Sequence, residues 1–188
     1  MFIQTEATPN PEALKFIPGR QVYSEGVLEF HNSASAELSP FAQNLFAIEG
    51  VQSIMFGSDF ISVTKSKSVE WRHIKPEILG SIMDGFMANM PIWIGAKGAN
   101  LDAPKYEGEA AEIVAQIQDL LDTRVRPSVA QDGGDIEFDS FDIDTGVVYL
   151  RMRGACSGCP SSAITLKSGV ENMIKHYVPE VTSVEQVL

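Results

Sequence analysis

Apolar residues recur at steps of three and four along three stretches of the chain, the spacing that lines one face of an α-helix. In the first stretch, between residues 70 and 89, the apolar face comprises Trp71, Ile74, Ile78, Ile82 and Phe86. In the second, which begins near Glu109, it comprises Ala110, Ile113, Val114, Ile117, Leu120 and Leu121. In the third, which Pro160 opens, it comprises Ala163, Leu166, Val170, Met173, Ile174 and Tyr177. We predict three helices, with Pro76 as a kink or the true start of the first and Pro127 near the end of the second.

Short apolar or alternating runs between turn residues predict strands. They cover residues 2–8, 13–17, 27–30, 51–56 and 60–64 in the first half, and residues 136–143, 147–152 and 181–187 in the second. The apolar positions change phase near Ser140, which predicts a β-bulge there. Ser39 and Pro40 predict the start of a further short helix, since serine is a favourable N-cap and proline a favourable first helical residue.

This order of elements predicts an α+β protein made of two small α+β domains joined by a flexible linker. The first domain is expected at residues 1–94 and the second at residues 108–188, where the order is α-β-β-α-β. Residues 95–107 hold Gly95, Gly98 and Pro104 and little apolar pattern, which indicates the linker. A chain of 188 residues is long enough for both domains.

The net charge is −11, from 14 Lys and Arg against 25 Asp and Glu. Phosphate backbones and anionic lipids attract cationic side chains, so we expect neither nucleic acid nor a membrane as a partner. The first six residues show neither a secretory signal pattern nor the Arg-rich composition of a transit peptide. We therefore expect a reducing compartment, which is the bacterial cytoplasm, or the mitochondrial matrix if the chain is a trimmed eukaryotic form.

The strongest candidate chemistry is a Cys-x-x-Cys pair, Cys156 and Cys159, which contains both cysteines of the chain. The pair lies between a predicted strand and the helix that begins at Pro160. Unpaired N–H groups and the positive dipole end at a helix N-terminus favour the thiolate, the form that binds metal. A structural disulfide is rare in a reducing compartment. A thiol–disulfide oxidoreductase is the main alternative to a metal site.

A metal site at this pair would need ligands from a second chain. Zinc and iron–sulfur clusters usually take four protein ligands, and one chain offers two thiols. His31, His73 and His176 have no ligand spacing to the pair. We interpret His31 and His73 as surface or structural histidines. Two chains related by a two-fold axis would supply four thiolates. The residues alone leave zinc and an iron–sulfur cluster both open.

Two parts of the sequence resemble a known family. Asp132-Gly133-Gly134-Asp135, together with GACSGCPSS at residues 154–162, resembles the NifU-like C-terminal (Nfu) domain. TPNPEALKF at residues 8–16 resembles the Nfu N-terminal domain, and the two occur in the order that this family uses. The resemblance implies an iron–sulfur cluster scaffold or carrier rather than an enzyme. It implies a [4Fe–4S] cluster that bridges two subunits through Cys156 and Cys159 of each, and a homodimer when the cluster is bound. It also implies apo iron–sulfur client proteins and upstream cluster assembly proteins as partners.

The rest of the chain offers little further chemistry. The first domain has no cysteine and no phosphate-binding or nucleophile motif. From this missing chemistry and from the family resemblance, we assign the first domain to partner recognition. Trp71 and Trp93 are interpreted as core residues. Six acidic residues lie close together in the second domain: Asp132, Asp135, Glu137, Asp139, Asp142 and Asp144. They lack the spacing of a calcium loop and are predicted to form a solvated strand face.

Overall fold

The computed structural model describes residues 2–95, 106–157 and 160–187. The chain divides into two compact units, Met1–Lys97 and Gly98–Leu188, each with its own hydrophobic core. Both units combine helices with a β-sheet, which confirms the predicted α+β class. The predicted linker, residues 95–107, lies outside the described residues except at its two ends. Within the described ranges, no helix is long and apolar enough to cross a membrane.

The first unit packs two helices against a five-stranded antiparallel sheet with the spatial order β1-β2-β5-β4-β3. Its strands are β1 (Gln4–Ala7), β2 (Ala13–Ile17), β3 (Leu28–Phe30), β4 (Val51–Phe56) and β5 (Ile61–Lys65). Its helices are α1 (Pro40–Phe46) and α2 (Trp71–Met87), and a 3₁₀ turn spans Ala34–Ala36. The predicted hairpin is confirmed, because β4 and β5 pair across residues 57–60 with Ile54 opposite Val63.

The two helices of the first unit begin differently, and only α1 has a side-chain cap. Ser39 is the N-cap of α1, and its Oγ accepts a hydrogen bond from the backbone N–H of Ala42 at 3.2 Å. A start of α2 at Pro76 is wrong, because α2 begins at Trp71 and carries Pro76 inside it. Proline there removes one backbone hydrogen bond. The helix persists because Ile74 and Ile78, on either side, are buried at 5% and 0% exposure.

Both tryptophans pack against the core of the first unit, as predicted, and both are partly buried. The indole Nε1 of Trp71 donates a hydrogen bond to the carbonyl of Pro11 at 3.0 Å, which joins α2 to the turn before β2. The ring of Trp93 stacks on Phe30 with 6.1 Å between the ring centroids. These contacts account for both residues structurally.

The second unit has the predicted order α-β-β-α-β. Its elements are α3 (Glu109–Leu120), a π-helical turn (Leu121–Val125), α4 (Arg126–Gln131), β6 (Gly134–Asp142), β7 (Val147–Gly154), α5 (Pro160–Tyr177) and β8 (Ser183–Val187). Strand β7 is central, antiparallel to β6 and parallel to β8. The first helical region continues past Pro127 to Gln131, because the wider π turn comes before the proline, which takes an early position in α4 where a missing N–H costs little.

The register of β6 against β7 shifts between Phe138 and Ser140, which confirms the predicted bulge. The extra residue returns Phe141 to the core, where it is 5% exposed beside Ile136 at 0%. Tyr177, which recurs with the apolar residues of α5, is not buried with them. Its side chain is 45% exposed, and its hydroxyl accepts a hydrogen bond from Arg124 at 2.9 Å. An aromatic ring at a helical repeat position can therefore cover a polar partner rather than the core.

Candidate metal centre

Cys156 lies in the turn between the end of β7 at Gly154 and the start of α5 at Pro160. This is the strand-to-helix junction that the sequence predicted. Cys159, the second predicted ligand, lies outside the described residues, so the structure places one member of the pair. The turn closes with a hydrogen bond from the backbone N–H of Ser157 to the carbonyl of Gly154 at 3.0 Å.

The side chain of Cys156 points into the core of its unit rather than into solvent. Cys156 is 5% exposed and belongs to the same buried cluster as Ile136, Met152 and Val170. The sequence predicted the position of Cys156 between a strand and a helix but gave no indication of this burial. The thiol is therefore held by packing in the single chain.

Gly134 provides the space that the thiol occupies. A Cβ atom built at Gly134 would overlap the Sγ of Cys156, and it would lie 3.1 Å from the Cβ of Cys156 and 3.0 Å from the carbonyl oxygen of Arg153. Any side chain at position 134 would compete with the cysteine for the same volume. The absence of a side chain at Gly134 therefore permits the close approach of Cys156.

Backbone contacts hold the cysteine turn against the same segment. Gly134 is opposite Gly154 in the β6–β7 register, and the N–H of Ala155 donates to the carbonyl of Gly133 at 3.1 Å. Gly133 and Gly154 have φ of +74° and +63°, in the left-handed region that glycine adopts at little cost. We call residues 133–134 the glycine seat of Cys156.

A buried ion pair fixes the strand end that carries the glycine seat. Asp135 is 5% exposed and accepts two hydrogen bonds from Arg126, from Nε at 2.9 Å and from Nη2 at 3.0 Å. Mainly through the hydrogen bond to Asp135, and despite partial burial, the pKa of Arg126 is raised above its usual value. Arg126 also bonds Asp122 at 3.0 Å. The guanidinium therefore stays charged and links α4 to the start of β6.

The solvated strand face predicted for the acidic residues is wrong at Asp135 and incomplete along the rest of β6. Glu137 pairs with Arg153, and Asp139 pairs with Arg151 at 2.7 Å. The carboxylates and arginines alternate on two paired strands, so each charge meets an opposite charge across the sheet. In the sequence, the alternation of Arg151 and Arg153 was the feature that could have indicated these ion pairs.

Among the described residues, no group of three or more His, Cys, Asp or Glu side chains could hold a metal ion. His31 lies 3.7 Å from Glu29 in the first unit, and the ring of His176 lies edge-on to Tyr177 at 5.0 Å. The contact of His31 agrees with its interpretation as a surface histidine. A four-ligand site at Cys156 would have to draw on residues beyond this described set.

Fold and site together define a protein of two small α+β units with a cysteine loop where a central strand meets a helix. The family models described as the scaffold protein Nfu/NifU N terminal and the NifU-like domain match residues 3–89 and 117–185. "NifU-like protein 5, mitochondrial" of Arabidopsis thaliana is 51% identical over 186 residues, which are 99% of this chain and 68% of that protein. "NFU1 iron-sulfur cluster scaffold homolog, mitochondrial" of Drosophila willistoni is 53% identical over all 188 residues, which correspond to 64% of that protein.

The chain therefore belongs to the Nfu family of NifU-like scaffold proteins. It spans about two thirds of the length of these relatives, 68% of the plant protein and 64% of the fly protein. A solution structure of a NifU-like protein from Saccharomyces cerevisiae matches 51% of this chain and 87% of its own, at 29% identity and a TM-score of 0.46.

Proposed function

We propose that this protein is an iron–sulfur cluster carrier, which holds a [4Fe–4S] cluster between two copies of itself and passes it to apo client proteins. The observation that carries the proposal is that the chain has two cysteines, Cys156 and Cys159, and both fall in one loop of a NifU-like domain. A [4Fe–4S] cluster takes four thiolates. Two copies of the loop supply that number, so the protein is a homodimer when it is loaded.

The chemistry of the loop suits a soft metal centre. Thiolates next to a helix N-terminus are favoured by its unpaired N–H groups and its dipole, and α5 begins at Pro160, directly after Cys159. Four thiolates also suit zinc. The printed name of the fly relative, an iron-sulfur cluster scaffold homolog, favours the cluster. That name also favours a binding protein over an enzyme.

The same arrangement favours release of the cluster. It would lie between two copies of one loop, where Gly154, Ala155 and Ser157 are small. Thiolates of an apo client can approach such a cluster and replace the carrier's thiolates in turn. Because the cluster would form part of the dimer contact, its release separates the chains. Upstream assembly proteins would load it again, and the names of the relatives favour the mitochondrial matrix as the compartment.

Native mass spectrometry under anaerobic conditions tests the stoichiometry. We expect a dimer with four irons and four sulfides per two chains, and a monomer after chelation. Cys156→Ser and Cys159→Ser should each abolish stable binding, because a serine hydroxyl is rarely ionised and its oxygen is a poor ligand for an iron–sulfur cluster. Ser157→Ala, in the same loop, is the matched control and should bind as the parent does. A loaded monomer, a zinc-only dimer, or a colourless protein whose thiols cycle with a disulfide would each contradict the proposal.

The first unit is proposed to recognise clients, since it is a folded unit without cysteine. The full chain and a chain limited to residues 98–188 should accept equal amounts of cluster. Transfer to a cluster-free [4Fe–4S] enzyme, measured by recovery of that enzyme's activity with a chelator present, should be slower from the shorter chain. If the full chain and the shorter chain transfer cluster to several clients at equal rates, the first unit does not recognise clients.

A further inference from the structure

The burial of Cys156 conflicts with the position that a bridging ligand needs. A thiolate shared between two chains must reach the surface of its own chain, yet Cys156 is 5% exposed and packs in the core of its unit. The turn must therefore have at least two arrangements, one with the thiol inside and one with the thiol outside. The contacts that hold the inner arrangement then set how readily the outer one forms.

Gly134 is the contact that acts on the thiol itself. Its φ lies outside the left-handed region, unlike that of Gly133 and Gly154, so the backbone at this position accepts any residue. A side chain at position 134 lacks space, because the Sγ of Cys156 and the carbonyl oxygen of Arg153 lie there. The carbonyl oxygen would be 3.0 Å from an added Cβ atom. A methyl group added there would press on the cysteine more than on the local backbone conformation.

We propose that Gly134 is a positioning residue of the metal site. Because it has no side chain, it leaves the space in which the thiol of Cys156 lies inward in the single chain. To bind metal across two chains, Cys156 leaves this seat. The hydrogen bond from Ala155 to Gly133 favours the inner arrangement, and the Arg126–Asp135 pair holds the strand end in place. The inward position of the thiol follows from packing alone, whereas its movement toward metal rests on the proposed function.

Alkylation measures the inner arrangement directly. A buried thiol reacts only when its surroundings open, so its rate reports the open fraction. In a Cys159→Ser chain, Cys156 is the single cysteine, and the mass of the whole protein gives its rate with iodoacetamide. We expect this rate to be at least about tenfold below the rate of the same chain in urea. Equal rates in the folded and unfolded chains would overturn the proposal.

Gly134→Ala in that chain should fill the seat and raise the alkylation rate about tenfold. Gly169→Ala is the matched control, because Gly169 lies in α5 of the same unit and a Cβ there meets nothing within 4 Å. It should alkylate as the parent does. Circular dichroism establishes that both variants are folded. If the Gly134→Ala chain is folded and its Cys156 is alkylated at the same rate as in the Gly169→Ala chain, the proposed role of Gly134 is refuted.

A stability comparison covers the case in which Gly134→Ala folds poorly. Gly134→Ala should lower the Tm of the parent chain by more than it lowers the Tm of a Cys156→Ala chain, where no Sγ is present to collide. Equal losses would show that the substitution acts through Arg153 or the backbone instead, and the proposal would fail. This comparison involves no metal.

Cluster loading provides the readout that a merely structural role would not change. In a chain with both cysteines, Gly134→Ala should increase the population with an outward thiol, so that visible cluster absorbance appears faster and at lower iron than in Gly169→Ala. Slower loading or equal loading would contradict the proposed link between seat and metal. If neither the Gly134→Ala chain nor the Gly169→Ala chain binds a cluster while the alkylation rates differ, the effect of Gly134 on the thiol is supported and the proposed function fails.

Discussion

Arg126→Met should destabilise the second unit strongly, because it leaves a buried carboxylate without its cation. Asp135 accepts two hydrogen bonds from Arg126, and its side chain is 7% exposed, so water replaces the guanidinium only in part. Methionine keeps a long unbranched stem and a similar helix propensity. The substitution therefore removes the charge and its hydrogen bonds while leaving α4 otherwise unchanged.

The two partners of this pair should differ in effect. Removing one member of a buried ion pair costs about 3 to 5 kcal/mol, and we place Arg126→Met near 3 kcal/mol because its own side chain is 35% exposed. Asp135→Asn should cost about 1 kcal/mol, since Arg126 retains solvent and its bond to Asp122 at 3.0 Å. Arg124→Met is the control, because Arg124 is exposed, and it should cost below about 1 kcal/mol.

Urea unfolding can assign the loss to one unit. Both tryptophans, Trp71 and Trp93, lie in the first unit, so tryptophan fluorescence follows that unit, while far-UV circular dichroism follows both. With a slope of about 1 to 3 kcal/mol per M, a loss of 3 kcal/mol lowers the midpoint of the second unit by at least about 1 M. The fluorescence transition should not move. Equal losses for Arg126→Met and Asp135→Asn, or a loss no larger than that of Arg124→Met, would refute the reasoning from burial.

Two further predictions concern the other contacts that hold each unit. Ser39→Ala removes the cap of α1 at a fully buried serine and should lower the stability of the first unit by about 1 kcal/mol in the fluorescence transition, whereas Ser58→Ala in an exposed turn should not. In the second unit, the hydrogen bond from Lys175, and then that from the N–H of Val184, lower the pKa of Glu171 below the usual 4.5. Its contribution is present above the unfolded pKa and is lost as pH falls through the folded value, so Glu171→Gln should flatten the decline of Tm below about pH 4.5, while exposed Glu180→Gln should not.

Features that depend on residues close along the chain could be predicted from the sequence. Ser39 caps α1, Pro160 opens α5 and the bulge falls between Phe138 and Ser140. These features could be predicted because caps, first helical residues and strand phase are decided within a few positions. The family could be recognised for the same reason, since its motifs are contiguous. The assignment of Cys156 and Cys159 as ligands remains a prediction from that motif.

Features that depend on partners distant in the chain could not be predicted. Asp135 and Glu137 alternate with apolar residues, and such a pattern is the same whether the carboxylates meet water or arginine. Only the pairing of β6 with β7 and the approach of α4 bring Arg153 and Arg126 to them. Likewise, a proline inside an amphipathic stretch can end a helix or be tolerated, and the packing around Pro76 decides for tolerance.

The sequence by itself determined which atoms are available for metal chemistry: two thiols in one loop, between a strand and a helix, in an acidic two-domain chain. It determined this because residue identity and local spacing are properties of the chain. Only the tertiary structure decided that the thiol of Cys156 lies inward, against Gly134. The burial of a side chain depends on what packs over it, and Gly134, which lies against this thiol, belongs to a strand more than twenty residues earlier in the chain.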